Sequence, residues 1–153
     1  MEIPPSQNDG MVDISRKPVM NRTATAEGSI FLCTEALDAI INKTNPKGDV
    51  LENAKLAAIV GAKKTSEMVF MCHPIKINYV HPTFEFIDNG ITCRVTVNTH
   101  DKTGIEIEAV AAVMNGLLAI FDLSKRYEKK KDGSYNKMKI TDIRVIEKRK
   151  EGL

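Results

Sequence analysis

The sequence predicts an α+β fold, a two-layer sandwich in which an antiparallel sheet carries its helices on one face. Three observations lead there. The apolar pattern changes period along the chain in the order strand, helix, helix, hairpin, helix, strand. Asp88-Asn89-Gly90 separates two alternating apolar runs, the strongest short-range hairpin signal. The 153 residues, 42% hydrophobic, 27% charged and 5% aromatic, suit one domain with its own core. A chain of that length buries roughly 70% of its unfolded surface and needs no staples.

The elements follow in order. Residues 1–10 (MEIPPSQNDG) are polar and Pro-rich and are expected as a disordered lead, with a single domain over 11–153. Residues 22–32 alternate loosely, with Thr, Ile and Phe, as a strand does. Thr34 is placed to cap a short helix to about Ile41. Asn45-Pro46-Lys47-Gly48-Asp49 reads as a turn. A helix from about Val50 to Val69 is expected, with Leu56, Ile59 and Val60 on its core stripe and Lys63 continuing it. After Met71-Cys72-His73-Pro74 come the two hairpin strands, Ile75–Ile87 and Ile91–Thr99, with Phe84, Phe86, Val95 and Val97 on the core face. Thr103-Gly104-Ile105-Glu106 has capping-box spacing and opens a helix to about Arg126, whose expected apolar face is Ile107, Val110, Ala111, Met114, Leu117, Leu118 and Phe121. A polar loop over Glu128–Lys137 leads to a last strand, Met138–Lys148.

Composition bounds the function. No apolar run approaches the ~18 residues of a membrane span. The N-terminus lacks a basic region followed by an apolar stretch, so no secretory signal is expected and the cytoplasm is the expected compartment. Net charge is +2, too balanced for a generic nucleic-acid binder. Residues 124–153 nevertheless hold 11 Lys and Arg against 5 Asp and Glu, a net of +6 that leaves the first 123 residues at −4. Such a basic segment is a solvated surface or part of a polyanion site. Cys33, Cys72 and Cys93 form no CxxC pair, which argues against a disulfide framework and a zinc knuckle. Eight aromatic residues (5 Phe and 3 Tyr) are too few for an RNA-stacking sheet.

No phosphate loop, GxSxG, HExxH or dinucleotide fingerprint occurs. What remains is a set of polar residues that packing does not ask for. Lys47 is either an exposed turn lysine or an anion-receiving group just ahead of a helix N-terminus. Cys72-His73, before a rigid proline, are a small thiol and a capping imidazole, or a ligand contact. Glu106 and Glu108 favour a helix start electrostatically. Asp122 and Lys125, at i and i+3, make a surface ion pair or a half-buried acid–base pair. Arg22, Lys63 and Lys148 are surface cations or the lining of a polyphosphate pocket.

Blocks of the chain together resemble a known family. Met11-Val12-Asp13-Ile14-Ser15, Arg22 to Gly28, Lys47-Gly48-Asp49-Val50, Ala62 to Glu67, Met71-Cys72-His73-Pro74, Thr103 to Ala109, Phe121 to Lys125 and Ile140 to Arg144 are similar, in order and spacing, to the cyclic pyranopterin monophosphate synthases, the molybdenum cofactor biosynthesis protein C family. The likeness covers about residues 11–150. It departs at Met71, Phe121 and Ser124, where Leu, Tyr and Cys are frequent, and in a longer, more basic 128–137 loop.

The resemblance implies a ferredoxin-like fold and a lyase that converts a 3′,8-cyclised dihydro-GTP into cyclic pyranopterin monophosphate with loss of diphosphate. It implies Lys47, Lys125 and Asp122 as catalytic residues. Met71, Cys72, His73, Glu106, Ile107 and Glu108 would bind substrate, with Arg22, Lys63 and Lys148 holding its triphosphate. It further implies a homohexamer, a trimer of dimers with interface active sites, and a functional partner, the radical S-adenosylmethionine GTP 3′,8-cyclase. No redox cofactor is required. Magnesium could sit on the substrate phosphates, but no metal-ligating residue cluster demands it. No nucleic acid or membrane is involved. The alternative, from another class, is a non-catalytic nucleotide-binding regulatory module on the same fold.

Overall fold

The strand β1, Met20–Phe31, is the one around which the sheet forms. The computed structural model describes residues 10–135 and 137–153, so most of the expected N-terminal lead lies outside the described residues. After β1 come α1 (Thr34–Ile41), α2 (Val50–Lys63), α3 (Thr65–Met68), β2 (Ile77–Ile87), β3 (Gly90–Asp101), α4 (Glu106–Glu128) and β4 (Lys139–Glu151). The strands form one antiparallel sheet in the order β2-β3-β1-β4. Two crossovers, one through α1 and α2 and one through α4, each join parallel strands with a third between them, the ferredoxin-like split arrangement.

Register explains the two faces. Ala24, Ala26, Gly28 and Ile30 of β1 and Ile91, Cys93, Val95 and Val97 of β3 are buried on the side where α4 packs. Period two sends Thr25 and Thr96, Ser29 and Thr92 to the other side, where their hydroxyls pair at 2.9 and 2.8 Å. Between them Glu27 accepts from Arg94 of β3 and Arg144 of β4, each guanidinium approaching to 2.9 Å. Asn89 takes φ 59° at the hairpin turn, as Asn-Gly predicts. Gly90 packs so closely on the Ile30 carbonyl that no side chain fits there. Asp49 caps α2 by accepting from Glu52 N at 3.2 Å.

Several expectations are corrected. The helix from Val50 to Val69 is two helices: Thr65 Oγ1 donates to the carbonyls of Gly61 and Ala62, both at 3.0 Å, and the chain bends at Lys64. The core stripe of α2 is the small-residue face Val50, Ala54, Ala58, Gly61 and Ala62, whereas Leu56 and Val60 are exposed. On α4 the buried set is Ala109, Ala112, Val113, Gly116, Leu117, Ile120 and Leu123, with Ile107, Met114 and Leu118 exposed. The physical cause is close approach. A Cβ on Gly61 would come within 2.7 Å of the Ala111 carbonyl, and one on Gly116 within 3.4 Å of Ala54 O and Ala58 Cβ. Small residues win the interface and the large ones are left outside. Phe86 is also exposed, near the rim of the edge strand β2.

The expected capping box does not form. α4 begins at Glu106, Ile105 precedes it without a side-chain cap, and Glu106 turns to a lysine instead. At α1 the capping residue is Cys33, not Thr34, and the buried carboxylate of Glu128 accepts from its amide. α4 is also long and apolar enough to cross a membrane, contrary to the run-length reading. Half of that stretch is buried, and α4 packs on the sheet and α2, which accounts for its composition.

Candidate active site

The residues singled out by sequence gather at the two ends of α4. At its C-terminal end the turn before α2 is fastened down by Asn45. Its buried amide donates to the Leu123 carbonyl at 2.7 Å, while its Oδ1 accepts from Lys47 N at 3.0 Å. Gly48, at φ 111°, lets the chain leave the turn into α2. This brings Lys47 Nζ to 3.9 Å from Asp122 Oδ2, while Lys125 Nζ lies 2.7 Å from Asp122 Oδ1. One carboxylate thus stands between two ammonium groups from different elements. Lys125 and then Lys47 hold the Asp122 carboxyl below its ordinary range, and Asp122 raises Lys125. All three side chains are about half exposed, so the acid–base pair is partly solvated, with Lys125 held toward the ammonium form by Asp122.

At the N-terminal end of α4 a pocket of about 240 Å³ is lined by Val12, Ile14 and Lys17, by Met71, Cys72, His73 and Ile75, and by Thr103, Gly104, Glu106, Ile107 and Glu108. The proline after His73 favours extended backbone there, and Cys72 N donates to the Val69 carbonyl at 3.1 Å. His73 Nε2 donates to the Val12 carbonyl at 2.8 Å, so the imidazole clasps the segment ahead of β1. Lys102 Nζ, from the β3–α4 connection, donates to the Ser15 carbonyl at 3.3 Å and ties down the same segment.

The two glutamates of this pocket differ. Glu106 pairs with Lys148 Nζ at 2.7 Å. Burial pushes its carboxyl up, but the hydrogen bond from Lys148 and the nearby charges leave it lowered on balance. Glu108 is 4% exposed and has no such cation among the described residues; burial pushes it up to about 7, with Glu106 adding to the rise. Burial, then Glu108 and Glu106, also push the Cys72 thiol up, so it stays protonated and is no ready nucleophile.

Arg22 sits beside this end, its Nε and Nη2 donating to the carbonyls of Asp101 and Lys102, both at 3.2 Å. Lys63 ends α2, which runs alongside α4 with Gly61 against Ala111 and Asn115, and its side chain is exposed. The structure therefore brings Met71, Cys72, His73, Glu106, Ile107, Glu108, Arg22 and Lys148 to one end, and Lys47, Asp122 and Lys125 to the other. Sixteen residues of helix separate Glu106 from Asp122, about 24 Å.

Sequence reasoning missed Asn45, Lys17 and Lys102. Lys17 had a signal, two residues past the Met11–Ser15 block; the bonds of Asn45 and Lys102 cross 78 and 87 residues of chain and leave no local trace. A larger hollow of about 900 Å³ lies near the start of α1, lined by Phe31 to Glu35, Asn89, Tyr127 and Lys137 to Lys139. It contains none of the residues above. Among the described residues no three His, Cys, Asp or Glu side chains gather as a metal site.

A family model described as the MoaC family matches residues 11–151. The chain is 47% identical over 140 residues to a Methanothermobacter thermautotrophicus protein named probable cyclic pyranopterin monophosphate synthase accessory protein, covering 92% of this chain and 88% of that one. It is 42% identical over 138 residues to a probable cyclic pyranopterin monophosphate synthase of Sulfolobus acidocaldarius, covering 90% and 96%. It is 44% identical over 144 residues to a cyclic pyranopterin monophosphate synthase of Campylobacter jejuni strain RM1221, covering 93% and 87%.

Proposed function

Because the chain belongs to the MoaC family, we propose that it acts in molybdenum cofactor biosynthesis as a cyclic pyranopterin monophosphate synthase. In this reading it is a cytoplasmic lyase that converts 3′,8-cyclised dihydro-GTP to the cyclic monophosphate and diphosphate. The observation that carries the reading is the Lys47–Asp122–Lys125 cluster, two ammonium groups on one carboxylate with a turn built to hold it.

Opening a purine imidazole ring and closing a pyran ring are proton transfers, which lysines and a carboxylate can perform. Lys125, held as a cation by Asp122, supplies a proton or steadies developing negative charge. The ring system of the substrate would rest against Met71, Cys72, His73, Ile107 and Glu108. Arg22, Lys63 and Lys148 would hold the phosphates, with a phosphate competing against Glu106 for Lys148. The rearrangement needs no electron carrier. A divalent ion such as magnesium can accompany the phosphates, and the upstream radical S-adenosylmethionine cyclase supplies the intermediate.

One chain keeps its two clusters about 24 Å apart on a rigid helix. A single small substrate reaches both only if a second copy brings its lysine end to the first copy's pocket, as a dimer within a homohexamer would. Single-turnover conversion of the cyclised intermediate, followed as fluorescent oxidised pterin with diphosphate release, tests the reading. The parent is expected to turn over, and Lys47→Ala and Lys125→Ala each to lose at least about 100-fold. Tight binding by a well-folded parent that makes no product would leave the regulatory-module reading in its place.

A further inference from the structure

We propose that Glu108 is a catalytic carboxylic acid of the pocket, one that enters the reaction carrying a proton and donates it to the ring portion of the substrate; the proposal rests on the reading just given. Glu108 sits in the first turn of α4 with its side chain against the pocket and only 4% of the residue exposed. Among the described residues no cation forms an ion pair with it. On its own helix Glu106 is anionic and committed to Lys148 of β4 at 2.7 Å. From the connection ahead of β2, Cys72 presents a protonated thiol, and His73 spends Nε2 on the Val12 carbonyl. From β1, Arg22 donates to two backbone carbonyls. From the segment ahead of β1, Lys17 lines the pocket without bonding Glu108, and Lys102 reaches the Ser15 carbonyl.

A carboxylate buried without a cation is costly, and the inexpensive remedy is to keep the proton. Two glutamates at i and i+2 are thereby driven in opposite directions, Glu106 toward the charged form and Glu108 toward the protonated one. That divergence is how an acid and an anion are assigned in a shared site. The balance is simple. The O–H bond of Glu108 breaks, a new N–H or C–H bond forms on the substrate, and the carboxylate regains its proton from water between turnovers. A neutral Glu108 also avoids repelling an anionic substrate. It supplies an acid at the pocket, about 26 Å within the chain from Lys125.

Two measurements on the full chain decide it. The first needs no substrate: isotope-edited infrared spectra of the parent and of Glu108→Gln across pH. The parent is expected to show a protonated-carboxyl carbonyl band, absent from the variant, that disappears with a midpoint near 7. Lack of that band at pH 6 overturns the proposal. The second is single-turnover and steady-state kinetics. Glu108→Gln, which keeps the shape, is expected to lose at least about 100-fold in kcat, and Glu108→Asp to recover part of it. KM in the Gln variant should stay within about threefold of the parent. The parent rate should fall as pH rises through the same midpoint, because the donor loses its proton, and that fall should vanish in the Gln variant. A Gln variant with the parent's kcat, or one that raises KM alone, overturns the donor role and leaves the synthase reading standing. A parent without turnover overturns both.

Discussion

Glu108 carries a stability consequence of its own. Its carboxyl titrates at about 7 in the folded chain against 4.5 for the ordinary group. Between those values the folded state binds the extra proton and the unfolded state does not. Stability therefore falls as pH rises through that window, and the loss is complete above 7. Glu108→Gln removes the cost. The variant is expected to be about 3 kcal/mol more stable than the parent at pH 8 and equal to it at pH 4, read from urea midpoints at both values. Equal stability at pH 8 would mean that the site solvates its carboxylate. Asp122 is the opposite case, lowered by Lys125 and Lys47, but it is too exposed for its shift to translate into stability. At this scale the sequence was informative about residue type and silent about partners. Asp122 and Lys125 are neighbours by helix periodicity alone. The bond from Asn45 to Leu123, and the grip of His73 on Val12 across 61 residues, depend on tertiary folding.

The helices show what periodicity can and cannot reveal. The existence of α1, α2 and α4 was legible, and so was the hairpin, because apolar periodicity, Asn-Gly and alternation act locally, but both expected caps and the break at Lys64 were not. Which face turns inward was not. Large apolar residues mark a face by hydrophobicity, but α2 and α4 meet through Ala54, Ala58, Gly61, Ala111 and Gly116, where small size permits close backbone approach. Asn115 then staples the pair, its amide donating to the Ala57 carbonyl at 2.6 Å. Gly61→Leu must push a side chain into the Ala111 carbonyl and the Asn115 Cβ, 2.7 and 2.8 Å from where its own Cβ would stand. The expected loss is about 2–3 kcal/mol, seen as a lower denaturant midpoint. An unchanged midpoint would mean that the two helices separate easily.

Across the whole molecule, α2 and α4 leave Leu56, Val60, Met114 and Leu118 exposed. The edge strand β4 is guarded by charge, with Arg144, Glu147, Lys148, Arg149, Lys150 and Glu151 along it. In the proposed assembly each site takes its lysine cluster from one copy and its glutamate pocket from another. Mixing is the test. Lys125→Ala and His73→Ala chains, each inactive alone, are unfolded together and refolded. A symmetric dimer with two shared sites then regains about a quarter of parental activity, from sites where both intact halves meet. No recovery from soluble mixed oligomers would place each site within one chain.

The position of β1 in the sheet has a consequence for how the chain is made. β1 leaves the ribosome first, yet its two neighbours are β3 and β4, the latter ending at Glu151. Until β4 emerges, a twelve-residue strand rich in Ala and Thr waits with an open edge. The nascent protein cannot close its sheet domain-first and outward. β1 must wait in reserve for β4, which makes closing the sheet a long-range event.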